Sequence, residues 1–473
     1  MRLVAIGGSD AGISAALRAR ELDPDAEVTV VAADAFPNFS ICGIPYLISG
    51  EVTHWRDLAH RTHADLEATG MHLRLDTLAT AIDPAAHRVH LRDRVGAEEL
   101  LAYDALVVGT GAVPVVPPID GLAGPAALGP ADGVHLLRSM GDTFALTATL
   151  ERHQPSSALI VGAGYVGLEM ADGITARGIR VTQVERLPEV LPTVDPELGA
   201  LVRAELVAHG VEVVCATTVR RVRRADPGSP GRLAVEATSP DGRARTWAVD
   251  LVLVTVGVRP DTSLLVAAGA TTGASGAVVV DQAMRTGLPD LYAAGDCVVT
   301  HHQLLGATYL PLGTTAHKQG RVAGENALGG TACYAGSLGT QVVKVFDLVA
   351  GRTGLRHHEA TAAFTPATTT SAPDDHKAYY PGAHPITTRI TGDLPTGRLL
   401  GAQMVGRLGT EVAKRVDVLA TAIHHHMTVA ELDDLDLSYT PPLGSPWDAV
   451  QLAAQAWVRD HRPHAHRQAL TVT

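Results

Sequence analysis

Cysteine is scarce in this chain of 473 residues: Cys42, Cys215, Cys297 and Cys333 lie far apart and form no C-x-x-C pair or zinc-type cluster. That excludes a disulfide-stapled scaffold and suits a reducing, cytoplasmic compartment. Aromatic residues make up only 4% of the chain, so its cores must be filled by Ala, Val and Leu packed closely. Positive charge is also short, with 38 Lys and Arg against 50 Asp and Glu and a formal net charge of −12. A surface of that sign repels phosphodiester backbones, so no nucleic acid partner is expected. No apolar run reaches the roughly 18 uninterrupted residues that would suggest a membrane span, so no membrane partner is expected either. A strand-like run, residues 2–6, starts directly after Met1, so no signal peptide is expected.

Glycine, by contrast, is plentiful at 47 residues, and its placement is informative. Residues 2–6 read as a strand, residues 7–12 as the glycine turn GGSDAG, and residues 13–18 as a helix start. About 155 residues later the pattern returns: a strand at 158–161, the turn GAGYVG at 162–167, then another helix start. Each unit is followed by a second β run, at 28–31 and 181–184, which is the β-α-β setting a dinucleotide fingerprint requires. One glycine permits the tight turn, one lets the backbone approach a pyrophosphate, and one lets helix and strand pack closely. The pyrophosphate then rests on free N–H groups at the positive end of the helix. Gly7, Ser9, Ala11 and Gly12 are the expected contacts in the first copy; Gly162, Gly164, Tyr165 and Val166 are those in the second.

The copies differ. Glu185 ends the second strand of the later unit, where an acid hydrogen-bonds a ribose 2′-hydroxyl and favours NADH; Arg186 beside it would instead suit the 2′-phosphate of NADPH. The first copy has Ser9 in place of the middle glycine and Ala32 at the ribose position, with Asp34 two residues on as the substitute acid. Further strand-turns end at Thr110 and Gly111, at Gly257, and at Gly295 and Asp296; the last aspartate is expected to accept a ribityl hydroxyl. Glu169 follows the second fingerprint as a first-turn acid suited to the helix dipole. The expected fold is α/β: two Rossmann-like nucleotide-binding domains and a C-terminal α+β domain. The boundaries expected are 1–112 with 250–328, then 113–249, then 329–455, with 456–473 as a flexible tail.

Residues 7–12, 103–111, 162–167 and 294–296, in this order, resemble the FAD-dependent pyridine nucleotide–disulfide oxidoreductases. The stretch FSICGIPY at 39–46 resembles that family's single-cysteine branch, which holds coenzyme A disulfide reductases, NADH oxidases, NADH peroxidases and persulfide reductases. Residues 336–347 resemble the start of its dimerisation domain, while 378–383 and 437–442 point to the coenzyme A disulfide reductase side. The resemblance implies a homodimer that binds FAD and NADH or NADPH and passes electrons through Cys42. The fifth residue after Cys42 is Leu47 rather than a second cysteine, so no internal redox disulfide forms there. The oxidised enzyme must rest as a mixed disulfide, a persulfide or a sulfenic acid. Its substrate is then a small thiol-derived disulfide, a persulfide, a peroxide or O2. A helix N-terminus and the flavin are expected to lower the Cys42 pKa. Cys215, Cys297 and Cys333 read as inert.

Three departures from the branch bear on the substrate. Asp10 stands where its oxidases and peroxidases carry a histidine; it reads equally as a proton-handling group or as a helix cap. Asn38 and Ile41 replace the Ser and Asn that flank the cysteine in coenzyme A enzymes. Glu21 takes the place of a basic residue directed at coenzyme A phosphates, which argues for a different thiol. Tyr379, Tyr380 and Tyr439 match tyrosines that reach the partner subunit's cysteine in those enzymes. His426 with Glu431 imitates the acid–base pair of two-cysteine relatives, yet Thr428 with Glu431 is a plain capping box, the favoured reading. No spacing makes a metal site, although the triplet His424, His425 and His426 would bind metal adventitiously. The leading expectation is an NAD(P)H-dependent reductase of a small disulfide or persulfide. An NADH oxidase or peroxidase comes next, and an electron-transfer flavoprotein serving a protein partner is the rival of another class.

Overall fold

A computed structural model describes residues 1–461. Three sheets organise the chain, each built from the short, glycine-bounded apolar runs legible in the sequence. The first is parallel and five-stranded, in the order Leu291–Ala293, Ala105–Val108, Arg2–Ile6, Glu27–Val31, His72–Arg74. The first strand pairs with neighbours on both sides, Ile6 lying opposite Val31 and Val108, so it sits where the chain reverses direction across the sheet. Crevices at the carboxyl ends of such strands are where α/β sheets bind ligands. The helix Asp10–Leu22 buries Ile13, Ala15, Ala16 and Ala19 against this sheet and against the helix Gly313–Ala327. Those two helices touch almost backbone to backbone: a Cβ added at Gly320 would lie 2.3 Å from the Ala11 carbonyl oxygen, and one at Gly324 2.3 Å from that of Ala15.

The second sheet repeats the scheme in the order Glu212–Val214, Arg180–Val184, Ser157–Val161, Leu251–Val254, Val134–Leu136, also parallel. Here one expected boundary moves. Leu251–Val254 was assigned with the first nucleotide domain, but it is hydrogen-bonded on both edges within the second sheet. The crossing comes later, where Val258–Pro260 pairs antiparallel with Ala112–Pro114 to form a two-stranded ribbon between the domains.

The third sheet is antiparallel, in the order Gln341–Val345, Leu348–Gly354, Leu399–Arg407, Thr387–Asp393, Pro366–Ser371, covered by the helices Val412–His424 and Ala449–His461. The last helix corrects a second boundary. Residues 456–461 were placed in a flexible tail, yet Trp457 is buried, packs on Gly392 and donates its indole N–H to the Ala367 carbonyl at 2.9 Å. An indole of that size buried with its N–H satisfied holds the helix down. The remainder of that tail, 462–473, lies outside the described residues. Among the described residues no helix is long and apolar enough to cross a membrane.

Candidate redox site between two nucleotide cradles

The two glycine turns behave as the mechanism of phosphate binding demands. Gly7 has φ +117°, and a Cβ there would lie 2.2 Å from the Gly109 carbonyl oxygen; at Gly12 it would lie 2.1 Å from that of Gly7. Gly167 is as tightly enclosed, 2.3 Å from the Gly162 oxygen. Gly164 is the opposite case: a Cβ there meets nothing within 4 Å, and the residue caps the helix Tyr165–Ala176. Because the first bond of that helix runs from the Leu168 N–H to the Gly164 carbonyl, the N–H groups of Tyr165, Val166 and Gly167 precede it and face outward. An open backbone beside free donors at a positive helix end fits a pyrophosphate.

Glu185 sits buried at the end of its strand and accepts the N–H groups of Ala163 and Leu187, both at 2.7 Å, so the acid is locked beside the second turn. Asp34 lies beyond Ala32 and accepts the Phe36 N–H at 2.9 Å; partial desolvation of its carboxyl in the loop raises its pKa. Around the first cradle, Gly295 (φ +86°) donates its N–H to Gln319 and comes within 2.9 Å of the Ala11 methyl at its Cβ position. The Thr110 hydroxyl donates to the Asp261 carbonyl, and Gly111 turns the chain at φ +72°. Asp296, expected to accept a ribityl hydroxyl, also pairs through its Oδ2 with Arg138 at 2.7 Å, a partner from the second domain. Gly257 follows Leu251–Val254 of the second sheet rather than a strand of the first. The buried Asn38 side-chain oxygen has no hydrogen-bond partner and lies in the loop whose backbone bonds Gly8. Residues of this kind fit FAD in the first cradle and NAD(P)H in the second.

Cys42 lies between them. It occupies the one-turn segment Ile41–Gly43, which runs directly into the helix Ile44–Ser49. The scarce aromatics are spent on this loop: Phe36, Phe39, Trp55 and Phe144 pack mostly edge to face with ring centroids 5.2–5.9 Å apart. The cysteine helix packs on Tyr165–Ala176, where only glycine fits at Gly173 because a Cβ would lie 2.8 Å from the Pro45 oxygen. The cysteine helix is therefore packed directly against the helix of the second fingerprint.

Cys42 has an exposed residue surface, but its thiol is not lowered as expected. Burial pushes it up, and the nearby charges of Glu169 and Asp10 push the same way, against Arg138. A six-residue helix offers too little dipole to outweigh two carboxylates.

Glu169 is not a first-turn acid either: it is the fifth residue of its helix, and its function is set by contacts rather than by the dipole. Burial raises its pKa to about 7 despite Tyr46 and Lys344. Tyr46 makes a long hydrogen bond to it at 3.5 Å, and burial with Glu169 pushes this phenol up to about 12. Lys344, on the first strand of the third domain, lies 3.0 Å from Asp172. Tyr165 is also raised by burial beside Asp296 and Cys42.

Asp10 is the first residue of its helix, with Ser9 as the cap, so it does not cap that helix. Burial raises its pKa, against His317 and His60. His317 Nε2 lies 3.4 Å from Asp10 Oδ1 and its Nδ1 2.9 Å from Ser14 Oγ. Neither histidine was singled out in the sequence, because each joins Asp10 only through tertiary packing. Glu21 is balanced rather than reversing the local charge: Arg18 and Arg321 pair with it at 2.9 and 3.1 Å. Its argument against a phosphorylated thiol is therefore weaker than the sequence suggests.

In the third domain Tyr379 and Tyr439 lie beside each other, the neighbouring phenol raises the pKa of Tyr439, and both are exposed. Tyr380 is exposed nearby, its ring edge-on to His376 at 5.8 Å. Among the described residues no hydrogen bond joins any of the three to Cys42 of the same chain. Thr428 and Glu431 form the capping box, and His426 lies 2.6 Å from Arg398. Cys297 is buried; burial raises Cys215 to about 11.

Comparison with known proteins agrees with this geometry. Residues 1–320 match the family model for pyridine nucleotide-disulphide oxidoreductase, and 340–449 match the dimerisation domain of the same family. An NADH oxidase of Methanocaldococcus jannaschii is 33% identical over 96% of this chain and 98% of its own. An NAD(P)H sulfur oxidoreductase (CoA-dependent) of Pyrococcus furiosus is 32% identical over 96% and 98%. The solved structure of an NAD-dependent persulfide reductase from A. fulgidus superimposes with TM-score 0.89 at 35% identity, covering 97% of this chain and 83% of that one. The family uses FAD and NAD(P)H, and its dimerisation domain supports a homodimer here. With its two glycine cradles, its paired sheets and its third domain all matched, the chain belongs to the pyridine nucleotide-disulphide oxidoreductases.

Proposed function

We propose that this oxidoreductase reduces a small disulfide or persulfide at the expense of NAD(P)H, with Cys42 as the redox group. The observation that carries the reading is the position of Cys42. It is a solitary thiol on the loop between the two cradles, with Leu47 where a second cysteine would stand. When bound, FAD supplies a two-electron relay between nicotinamide and thiol. The Cys42 thiolate attacks one sulfur of the substrate R–S–S–R, forming a mixed disulfide and releasing RS⁻. Two electrons originating in NAD(P)H then cleave that mixed disulfide, restoring the thiolate and releasing the second thiol. The balance is NAD(P)H + H⁺ + RSSR giving NAD(P)⁺ + 2 RSH.

Tyr379 and Tyr439 of a second copy protonate the departing thiolate; their proximity to each other and exposure on the dimerisation domain support this. Glu185, buried and facing the second turn, favours NADH over NADPH. Residues 1–254 supply most of both cradles, residues 291–327 complete the first, and residues 341–461 form the dimer domain.

A second reading has one observation in its favour. Asp10 has its pKa raised by burial and its charge bears on Cys42, which suits a proton-handling role toward a sulfenic acid in an oxidase or peroxidase cycle. The test is anaerobic NADH and NADPH oxidation with a panel of disulfides and persulfides, beside an aerobic control without acceptor. Rapid anaerobic turnover that falls to background in Cys42→Ser, with flavin content retained, is expected. Turnover only in air favours the oxidase reading, and full anaerobic activity in Cys42→Ser refutes both.

A further inference from the structure

We propose that Asp10, His60 and His317 form a binding site for a divalent cation of the zinc class beside Cys42, and that its occupancy reversibly shuts the redox site. The inhibitory half rests on the assignment of Cys42 as the redox group; the binding half does not. One ligand atom from each of the three residues lies within 4.8 Å of the others. A tetrahedral zinc with bonds of about 2.0 Å needs ligand atoms about 3.3 Å apart, so the set must tighten by about 1.5 Å at most. Asp10 and His317 are already 3.4 Å apart. The exposed His60 ring is free to swing the rest of the way.

The supports behind the ligands are specific. His317 Nδ1 meets Ser14 Oγ at 2.9 Å, the outer hydrogen bond that fixes a ligating imidazole and leaves Nε2 aimed at Asp10. His317 rides on the helix Gly313–Ala327, which Gly320 and Gly324 clamp against the Asp10 helix. His60 is held through its own N–H on the Asn38 carbonyl at 2.9 Å, in the same loop system that carries Cys42. Two imidazoles and one carboxylate leave a fourth position open, and zinc readily takes sulfur there. The Ser40 N–H bonds the Leu58 carbonyl at 2.8 Å, which ties the segment carrying Cys42 to the one carrying His60, and the Asp10 charge bears on the thiol. A cation on Asp10 therefore competes for the thiolate and for the thiolates the reaction releases. No other cluster among the described residues has this relation to a cysteine: Glu205, His209 and Asp347 also converge, but remote from Cys42 in the helix–sheet contact of the second and third domains.

The experiment is zinc titration of FAD-loaded enzyme by calorimetry, run on wild type, His60→Ala, His317→Ala and His209→Ala, with flavin content and melting temperature as fold controls. One binding equivalent per chain is expected to vanish in His60→Ala and His317→Ala and to persist in His209→Ala. In parallel, zinc is expected to inhibit disulfide or persulfide reduction with the same midpoint in wild type. EDTA restores activity, and the midpoint rises at least about tenfold in His60→Ala, within the range by which lost metal-site contacts weaken affinity. Equal zinc binding in all four proteins overturns the site. Loss of the equivalent without any change in zinc sensitivity overturns the inhibition. If no sulfur substrate is turned over at all, the functional assignment fails while the calorimetry still decides the site.

Discussion

Gly164 and Gly167 stand three residues apart in one turn, and the structure assigns them opposite penalties. At Gly164 the backbone is at φ −73° and ψ 177°, which any residue adopts, and an added methyl meets nothing within 4 Å. The only intrinsic cost of Gly164→Ala is a poorer helix cap, about 0.5–1 kcal/mol. For a chain of this size that lowers the melting temperature by no more than about 4 °C. The methyl does, however, fill the surface at which a pyrophosphate approaches the backbone. Losing that approach should cost at least about 1.4 kcal/mol of binding, a tenfold rise in dissociation constant. At Gly167 the methyl would lie 2.3 Å from a carbonyl oxygen and 2.8 Å from the Thr255 hydroxyl, and overpacking of that severity costs several kcal/mol, at least about 3. Anaerobic stopped-flow reduction of the flavin at varied NADH isolates this step from any acceptor. Gly164→Ala should show a dissociation constant raised about tenfold with the limiting rate largely kept; Gly167→Ala should fail to accumulate or melt early. An unchanged NADH constant in Gly164→Ala would refute the placement of the pyrophosphate.

Other expectations follow from charge and burial. Glu169 is raised by burial to about 7, so the folded chain takes up a proton there and loses stability as pH rises from about 4.5 to 7. Urea unfolding across that window should show a flatter pH slope in Glu169→Gln. Glu359 is the reverse case: burial opposes its charge, but Arg352 and Arg356 win and hold it at about 2. Its stabilisation, about 3 kcal/mol at neutral pH, should drain away between about pH 4.5 and 2 and be absent from Glu359→Gln in acid unfolding curves. Trp457→Ala should destabilise the third domain by about 3–5 kcal/mol, read by differential scanning calorimetry as an earlier transition with the flavin signal retained.

What the sequence could show was whatever lies within one β-α-β unit. The glycine turns at 7–12 and 162–167, Glu185 at its strand end and the Thr428–Glu431 capping box are local patterns, and each has the geometry its spacing implies. The misread features depend on contacts between distant segments. Leu251–Val254 looks alike in either sheet; only its two hydrogen-bonded neighbours decide. Arg138 on Asp296, and His317 on Asp10, join residues 158 and 307 positions apart, beyond any periodicity. The Cys42 thiol was expected to follow its helix end, whereas carboxylates from elsewhere in the chain act on it. The tail was misjudged because its His- and Arg-rich composition hides the buried Trp457.

The clamp between the helices Asp10–Leu22 and Gly313–Ala327 has a consequence for synthesis. The first glycine turn is made at once, but the helix that holds it in place, and the strand Leu291–Ala293 that closes its sheet, arrive some 300 residues later. At about 5–20 residues per second a ribosome needs roughly a quarter of a minute to a minute for that length. During this interval the nascent chain carries a half-built cradle, while the second nucleotide domain between the two segments is finished first. Flavin capture is thus a late event on the growing chain, and a transcript cut short before the glycine-clamped helix yields a product able to fold in its middle but not to colour yellow.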